Sequence, residues 1–174
     1  MVLFVIIDIV VFATLIVSYF YLRFRHPEWP PEGIQRPTWL FSGGAAVALL
    51  LSSAAYAWAE RGIRRGRRSR LQSGIAIGAT LASIALALQI AEIAGLDFRW
   101  DTHAYGSLVW VMIILHAAHV LVLALIAVLL EILALQAYFT STRRPGIQAI
   151  GLFWHTVTLT WGALFLVLYV TPYV

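Results

Sequence analysis

Five long apolar stretches, at residues 1–22, 38–59, 71–95, 104–137 and 146–174, decide what this chain can become. Roughly 20 apolar residues are the length a helix needs to cross the hydrocarbon core of a bilayer. In that core a spanning segment must satisfy its own backbone hydrogen bonds, which leaves the α-helix as the form for stretches of this kind. The pattern predicts an all-α integral membrane protein: one transmembrane domain over residues 1–174, built as a five-transmembrane-helix bundle. The fourth and fifth stretches exceed the minimum length and must tilt or project beyond the hydrocarbon. Composition agrees, with 61% hydrophobic and 11% charged residues and a mean hydropathy of +0.87. A soluble domain carries about a quarter charged residues, so a water-exposed surface could not be covered here. The first stretch has no basic leader and no small-residue cleavage site, so it is expected to stay as a helix.

Orientation follows from arginine, because the chain has no lysine. Arg61, Arg64, Arg65, Arg67, Arg68 and Arg70 follow the second stretch, and Arg143 and Arg144 follow the fourth. The other side holds Arg23, Arg25, Arg36 and Arg99. Short loops rich in arginine stay inside, which puts the N-terminus inside and the C-terminus outside. The basic balance is thus a retention signal beside anionic headgroups, and no nucleic-acid partner is expected. Cysteine is absent, so thiolate-held iron–sulfur clusters and covalently attached haem are excluded.

Helices associate in lipid by close backbone approach and interhelical polar contacts. Gly74, Gly78 and Ala82 form a ladder of small residues, which Ala85, Gln89 and Glu92 continue at helical spacing. Gly44, Ala48 and Ser52 do the same on the second helix, and Gln148, Gly151, His155, Thr158 and Gly162 on the fifth. These faces are expected to turn inward. Trp39, Trp58, Trp100, Trp110, Tyr105 and Tyr173 fall near helix ends, where interfacial aromatic belts lie. The link "RHPEWPPEGIQRP" is too proline-rich to be helical throughout.

Several polar residues sit inside the hydrocarbon. Asp8 lies about 12 Å into the first helix, a depth at which a carboxyl needs a partner, a proton or water. His116 and His119 share a stripe on the fourth helix with Tyr105 and Met112. Rings three residues apart project from one side and cannot sandwich a haem iron. A metal would need a third and a fourth ligand, and only His155, Asp8 and Glu92 remain within the membrane, so no metal is expected. Both histidines are instead expected to be neutral rings whose N–H groups meet carbonyls or carboxylates, with Asp8 or His155 as partners. Such bonds average well under 2 kcal/mol in membranes, so replacing either histidine should loosen the bundle only modestly. Gln89 and Glu92 are placed near the outer end, within reach of water or a loop donor, and Glu131 near the inner end, where snorkelling suffices.

The ordered motifs resemble those of the haem–copper oxidase subunit III family, found in cytochrome c and quinol oxidases. "LFVIID" resembles its aliphatic segment ending in an intramembrane acid, and "WPPEGI" its outer Trp-Pro-Pro-x-Gly-Ile loop. "LQIAE" is similar to Leu-Gln-x-x-Glu, "YGSLVWVMIILHAAHV" to Tyr-Gly-Ser followed by His-Gly-x-His-Val, and "FWHTVTLTW" to aromatic-Trp-His followed by Trp. The chain departs from the pattern in having Asp8 for Glu, Thr158 for Asp, Ala117 for Gly and Ile93 for Tyr. The resemblance implies the short, five-helix form. It also implies an accessory subunit with no cofactor in this chain and no catalytic residue. Haem and copper would belong to partner subunits, with subunit I and subunit II as protein partners, phospholipid bound, and the inner membrane of a prokaryote as its location. The family role would be to stabilise the catalytic subunit and support proton uptake during oxygen reduction. Three other readings stay open: a relative associated with nitric oxide reductase, an autonomous b-type cytochrome using His116 or His119 with His155, and a proton-conducting protein built on Asp8.

Overall fold

The computed structural model describes residues 1–26, 28–31, 34 and 39–173, and every regular element among them is helical. The chain runs through α1 (Val2–Arg25), α2 (Trp39–Arg64), α3 (Arg68–Ala94), α4 (Ala104–Leu135) and α5 (Pro145–Phe165). Among the described residues, five helices are long and apolar enough to cross a membrane. Arg36, most of the "EGIQRPT" stretch and the side chain of Tyr173 lie outside the described residues.

The ends move for local reasons. α2 runs on to Arg64 and not to residue 59, because Glu60 and Arg64 pair four residues apart on good helix-forming positions. α3 then starts at Arg68, since a three-residue turn suffices once Gly66 takes a left-handed φ of 69°. The turn is closed by the Gly66 and Arg67 N–H groups, which donate to the Ile63 and Gly62 carbonyls at 3.0 and 2.9 Å. α4 stops at Leu135, just before Ala137 adopts φ 57°. The fifth stretch is not α-helical to residue 174. It opens into a π turn at Leu166–Val170 and a 3₁₀ turn at Thr171–Tyr173. Pro172 has no N–H and its ring crowds the preceding turn, so a regular α-helix cannot continue through it.

α3 packs between α2 and α4, while α5 touches α1, α2 and α4, and α1 lies against α4 and α5. The α2–α3 approach is the closest. A Cβ added at Gly74 would stand 2.6 Å from Ala59 Cβ and 2.9 Å from the Ala55 carbonyl oxygen. The buried stripe of α3 runs through Gly74, Gly78, Ala82, Ala85, Gln89 and Glu92. α5 fills the centre with Trp154 and Trp161, both fully buried. Trp154 stacks on Tyr56 at 4.5 Å and lies over Gly78, whose missing side chain makes room for the indole.

The aromatic belt is partly as expected. Trp39 and Trp100 are exposed near helix ends. Tyr105 is not interfacial but buried, packed against Tyr19, Trp29 and Phe98. In the α3–α4 link, Arg99 grips Asp101 through two 3.1 Å hydrogen bonds, which hold that exposed carboxyl below its usual range.

Candidate functional site: the polar seams between helices

Two seams cross the bundle. In the first, Asp8 comes from the buried stripe of α1 and His119 from α4. His119 Nε2 lies 2.8 Å from Asp8 Oδ1, and its Nδ1 lies 2.6 Å from the Leu115 carbonyl oxygen. A carbonyl only accepts, so Nδ1 carries a hydrogen. The contact to Asp8 then needs one more hydrogen, supplied either by the carboxyl or by a doubly protonated ring. Asp8 and His119 therefore hold one shared proton between them. Phe12 closes one side, its ring edge-on to His119 at 5.6 Å, and Phe153 another at 6.3 Å.

In the second seam, α3 meets α4 and α5. His116, fully buried, lies 3.0 Å from the Val157 carbonyl through Nε2 and 2.9 Å from Gln89 Nε2 through Nδ1. Val157 accepts from an Nε2–H, and Nδ1 accepts from the Gln89 amide, which fixes one neutral tautomer. Trp161 covers the ring at 4.7 Å. His116 thus meets a backbone carbonyl and uses neither Asp8 nor His155, which α1 and α5 present to other groups.

Gln89 and Glu92 lie in the last two turns of α3. Both are buried, and the Ser42 hydroxyl of α2 donates to Glu92 Oε1 at 2.7 Å. Both lie on the buried α3 stripe, whose phase points them at the neighbouring helices. Glu131 is half-buried near the C-terminal end of α4. His155 is half-buried on α5, 2.6 Å from Ser53 Oγ of α2.

Among the small residues, Gly74, Gly78 and Ala82 sit in the α2–α3 seam, and Gly151 sits 3.0 Å (from an added Cβ) below the Tyr56 ring. Gly162 differs. An added Cβ would meet nothing within 4 Å, and the residue faces outward with Gln148. Burial of Trp154, Val157, Thr158 and Trp161 sets the phase of α5 and turns Gly162 away. The sequence reading missed the groups that tie α5 in place. Trp154 Nε1 donates to Ser52 Oγ (2.9 Å), which donates onward to the Gly78 carbonyl (2.7 Å). Trp161 Nε1 donates to the Ser42 carbonyl and Tyr56 to the Ile147 carbonyl. The available signal was the seven-residue spacing of Trp154 and Trp161 beside serines on α2.

Among the described residues no cluster of three or more His, Asp or Glu side chains converges on a point that could hold a metal ion. What the seams can do chemically is clasp helices and keep one proton at Asp8–His119.

The chain is similar to cytochrome c oxidase subunit 3 of Synechocystis, with 30% identity over 97% of this chain and 72% of that protein. It is 32% identical to the subunit of the same name from Cyanidium caldarium over 81% of this chain and 53% of that one. With the horse protein it shares 28% identity over 97% and 67%. The chain thus spans between about half and three quarters of the length of these relatives. A family model described as cytochrome c oxidase subunit III matches residues 1–173, and with five membrane-spanning helices beneath that match, this multi-pass membrane protein belongs to the cytochrome c oxidase subunit III family.

Proposed function

We propose that this chain is an accessory subunit of a haem–copper terminal oxidase, carrying no haem or copper itself, which packs against subunit I, with subunit II in the same complex, and stabilises the catalytic core. The observation that carries the reading is the use of the interior histidines: both ring nitrogens of His116 and of His119 are engaged by groups of this chain. That supports a clasping role over iron ligation and weighs against the autonomous b-type cytochrome. The Asp8–His119 proton is the group through which the subunit would support proton uptake during oxygen reduction. The membrane is the inner membrane of a prokaryote, with the N-terminus inside. There the arginines around the α2–α3 turn, including Arg65, Arg67 and Arg68, meet phospholipid headgroups.

Purification in mild detergent is expected to bring a haem-bearing membrane subunit along with this chain. Recovery of the chain alone, under conditions that keep the oxidase active, overturns the reading. Within the complex, His116→Leu removes one interhelical clasp and is expected to lower the thermal midpoint by the equivalent of about 1–2 kcal/mol. The reduced-minus-oxidised haem spectrum should stay unshifted, and a displaced haem band would contradict the proposal.

A further inference from the structure

His155 differs from the two seam histidines because only one of its ring nitrogens is met. Ser53 Oγ lies 2.6 Å from Nδ1, and no described residue hydrogen-bonds to Nε2. The Ser53 hydroxyl has no other acceptor among the described residues, so its hydrogen goes to Nδ1 and the ring hydrogen sits on Nε2. That N–H is a donor on the outer surface of α5. His155 is half-buried, and its stripe neighbours Leu152, Leu159 and Leu166 are exposed.

Depth makes this notable. His155 is ten residues from Pro145 and ten from Phe165, about 15 Å from either end of the helix. An imidazole cannot reach a headgroup or water from there, and hydrocarbon offers no acceptor. Other polar side chains on outward faces solve the same problem within their own helix. Thr14, Ser18, Thr80 and Ser83 return their hydroxyl hydrogens to carbonyls four residues back. The ring N–H of His155 finds no such acceptor among the described residues. One turn and three residues along, Gly162 leaves open space where another backbone can approach closely.

We infer that the outward face of α5 centred on His155 is where a transmembrane helix of another subunit packs, and that this helix presents an oxygen acceptor at mid-membrane depth to His155 Nε2. The inference rests on the accessory-subunit reading and specifies which face makes the contact. Helical carbonyls take a second hydrogen bond elsewhere in this chain, Val157 from His116 and Gly78 from Ser52, so the acceptor is either a side-chain oxygen or a backbone carbonyl of that helix. A lipid headgroup does not reach the site.

The test uses the whole complex in its native membrane. A photoreactive residue is placed at Leu159, 71% exposed, and separately at Leu125, 63% exposed on the outward face of α4. The expected result is an adduct between the Leu159 probe and a haem-bearing subunit, several-fold more abundant than from Leu125. His155→Leu should lower that adduct about three- to fifteen-fold, the range that one interhelical hydrogen bond supplies, while His155→Gln, which keeps a donor, retains most of it. Lipid adducts alone, adducts from Leu125 alone, or adducts joining two copies of this chain each overturn the proposal. Equal yields in His155→Leu and wild type overturn the hydrogen bond. If a haem-bearing partner co-purifies but Leu159 gives no adduct to it, this face is wrong and the accessory-subunit reading stands. If no such partner co-purifies, both fall.

Discussion

Replacing Gly74 by valine is expected to force α2 and α3 apart and to leave little of the chain folded. The reason is the identity of the atoms in the way. A Cβ at position 74 would stand 2.6 Å from Ala59 Cβ, 2.9 Å from the Ala55 carbonyl oxygen and 3.0 Å from Ala59 Cα. Two of the three belong to the backbone, so no side-chain rotation relieves the overlap and the whole of α2 must move. Overpacking a well-filled core costs about 1–3 kcal/mol even where neighbours can adjust. In lipid the cost falls on the main attraction itself, because helices there gain nothing from hiding apolar surface from water and depend on close contact. Moving α2 outward also strains the Ser52 link between Trp154 and the Gly78 carbonyl, which lies one turn along the same seam. The thermal midpoint in detergent should drop by more than for any other single glycine on this seam, and alanine should already be harmful. Gly43→Ala serves as control, since its nearest non-neighbouring atom is 3.6 Å away. A Gly74→Val protein melting like wild type would mean that α2 and α3 do not approach as described.

That close approach was legible from the letters, whereas its partners were not. Glycine or alanine at every fourth position of an apolar helix has a physical reading on its own, because only close backbones need it. The same reasoning failed at Gly162, which carries the same letter at helical spacing but points outward. The phase of α5 is set by two buried tryptophans, and the space that each fills is lined by other helices, α2 and α3 around Trp154 and α2 and α4 around Trp161. Pairings across helices follow the same rule. Spacing placed His116 and His119 on one stripe, yet it could not say that the first would meet Gln89 and Val157 and the second Asp8. The number of helices needed only the length of hydrocarbon, and the family needed only motifs in order. The serines that bridge helices carry no sequence signal until the neighbour is known, since serine is also a common small packing residue. The end of α5 was readable in principle: Pro172 forbids the regular helix that the run of apolar residues suggests.

His119→Leu is expected to be far more damaging than His116→Leu, although one sequence stripe made them look equivalent. Leucine at 116 leaves the Gln89 amide without its ring acceptor, a loss of neutral hydrogen bonding. Leucine at 119 leaves Asp8 Oδ1 without a partner, and Asp8 Oδ2 already has none among the described residues. Removing one member of a buried, proton-sharing pair strands the other, at about 3–5 kcal/mol where the stranded group is charged. Asp8→Asn should be mild by comparison, below about 1.5 kcal/mol. The asparagine amide can donate to His119 Nε2 while Nδ1 keeps its hydrogen for the Leu115 carbonyl, so the geometry already present accepts the neutral analogue. The double variant Asp8→Leu/His119→Leu should then recover much of what the single His119→Leu loses, because no acid remains to be stranded. Thermal unfolding of the four proteins in one detergent measures the coupling directly. A negative effect of His119→Leu that the second change relieves is what an Asp8–His119 pair requires. If Asp8→Asn and His119→Leu lower the midpoint equally and additively, the two side chains are not a pair, and the interior has no proton-holding site at that depth.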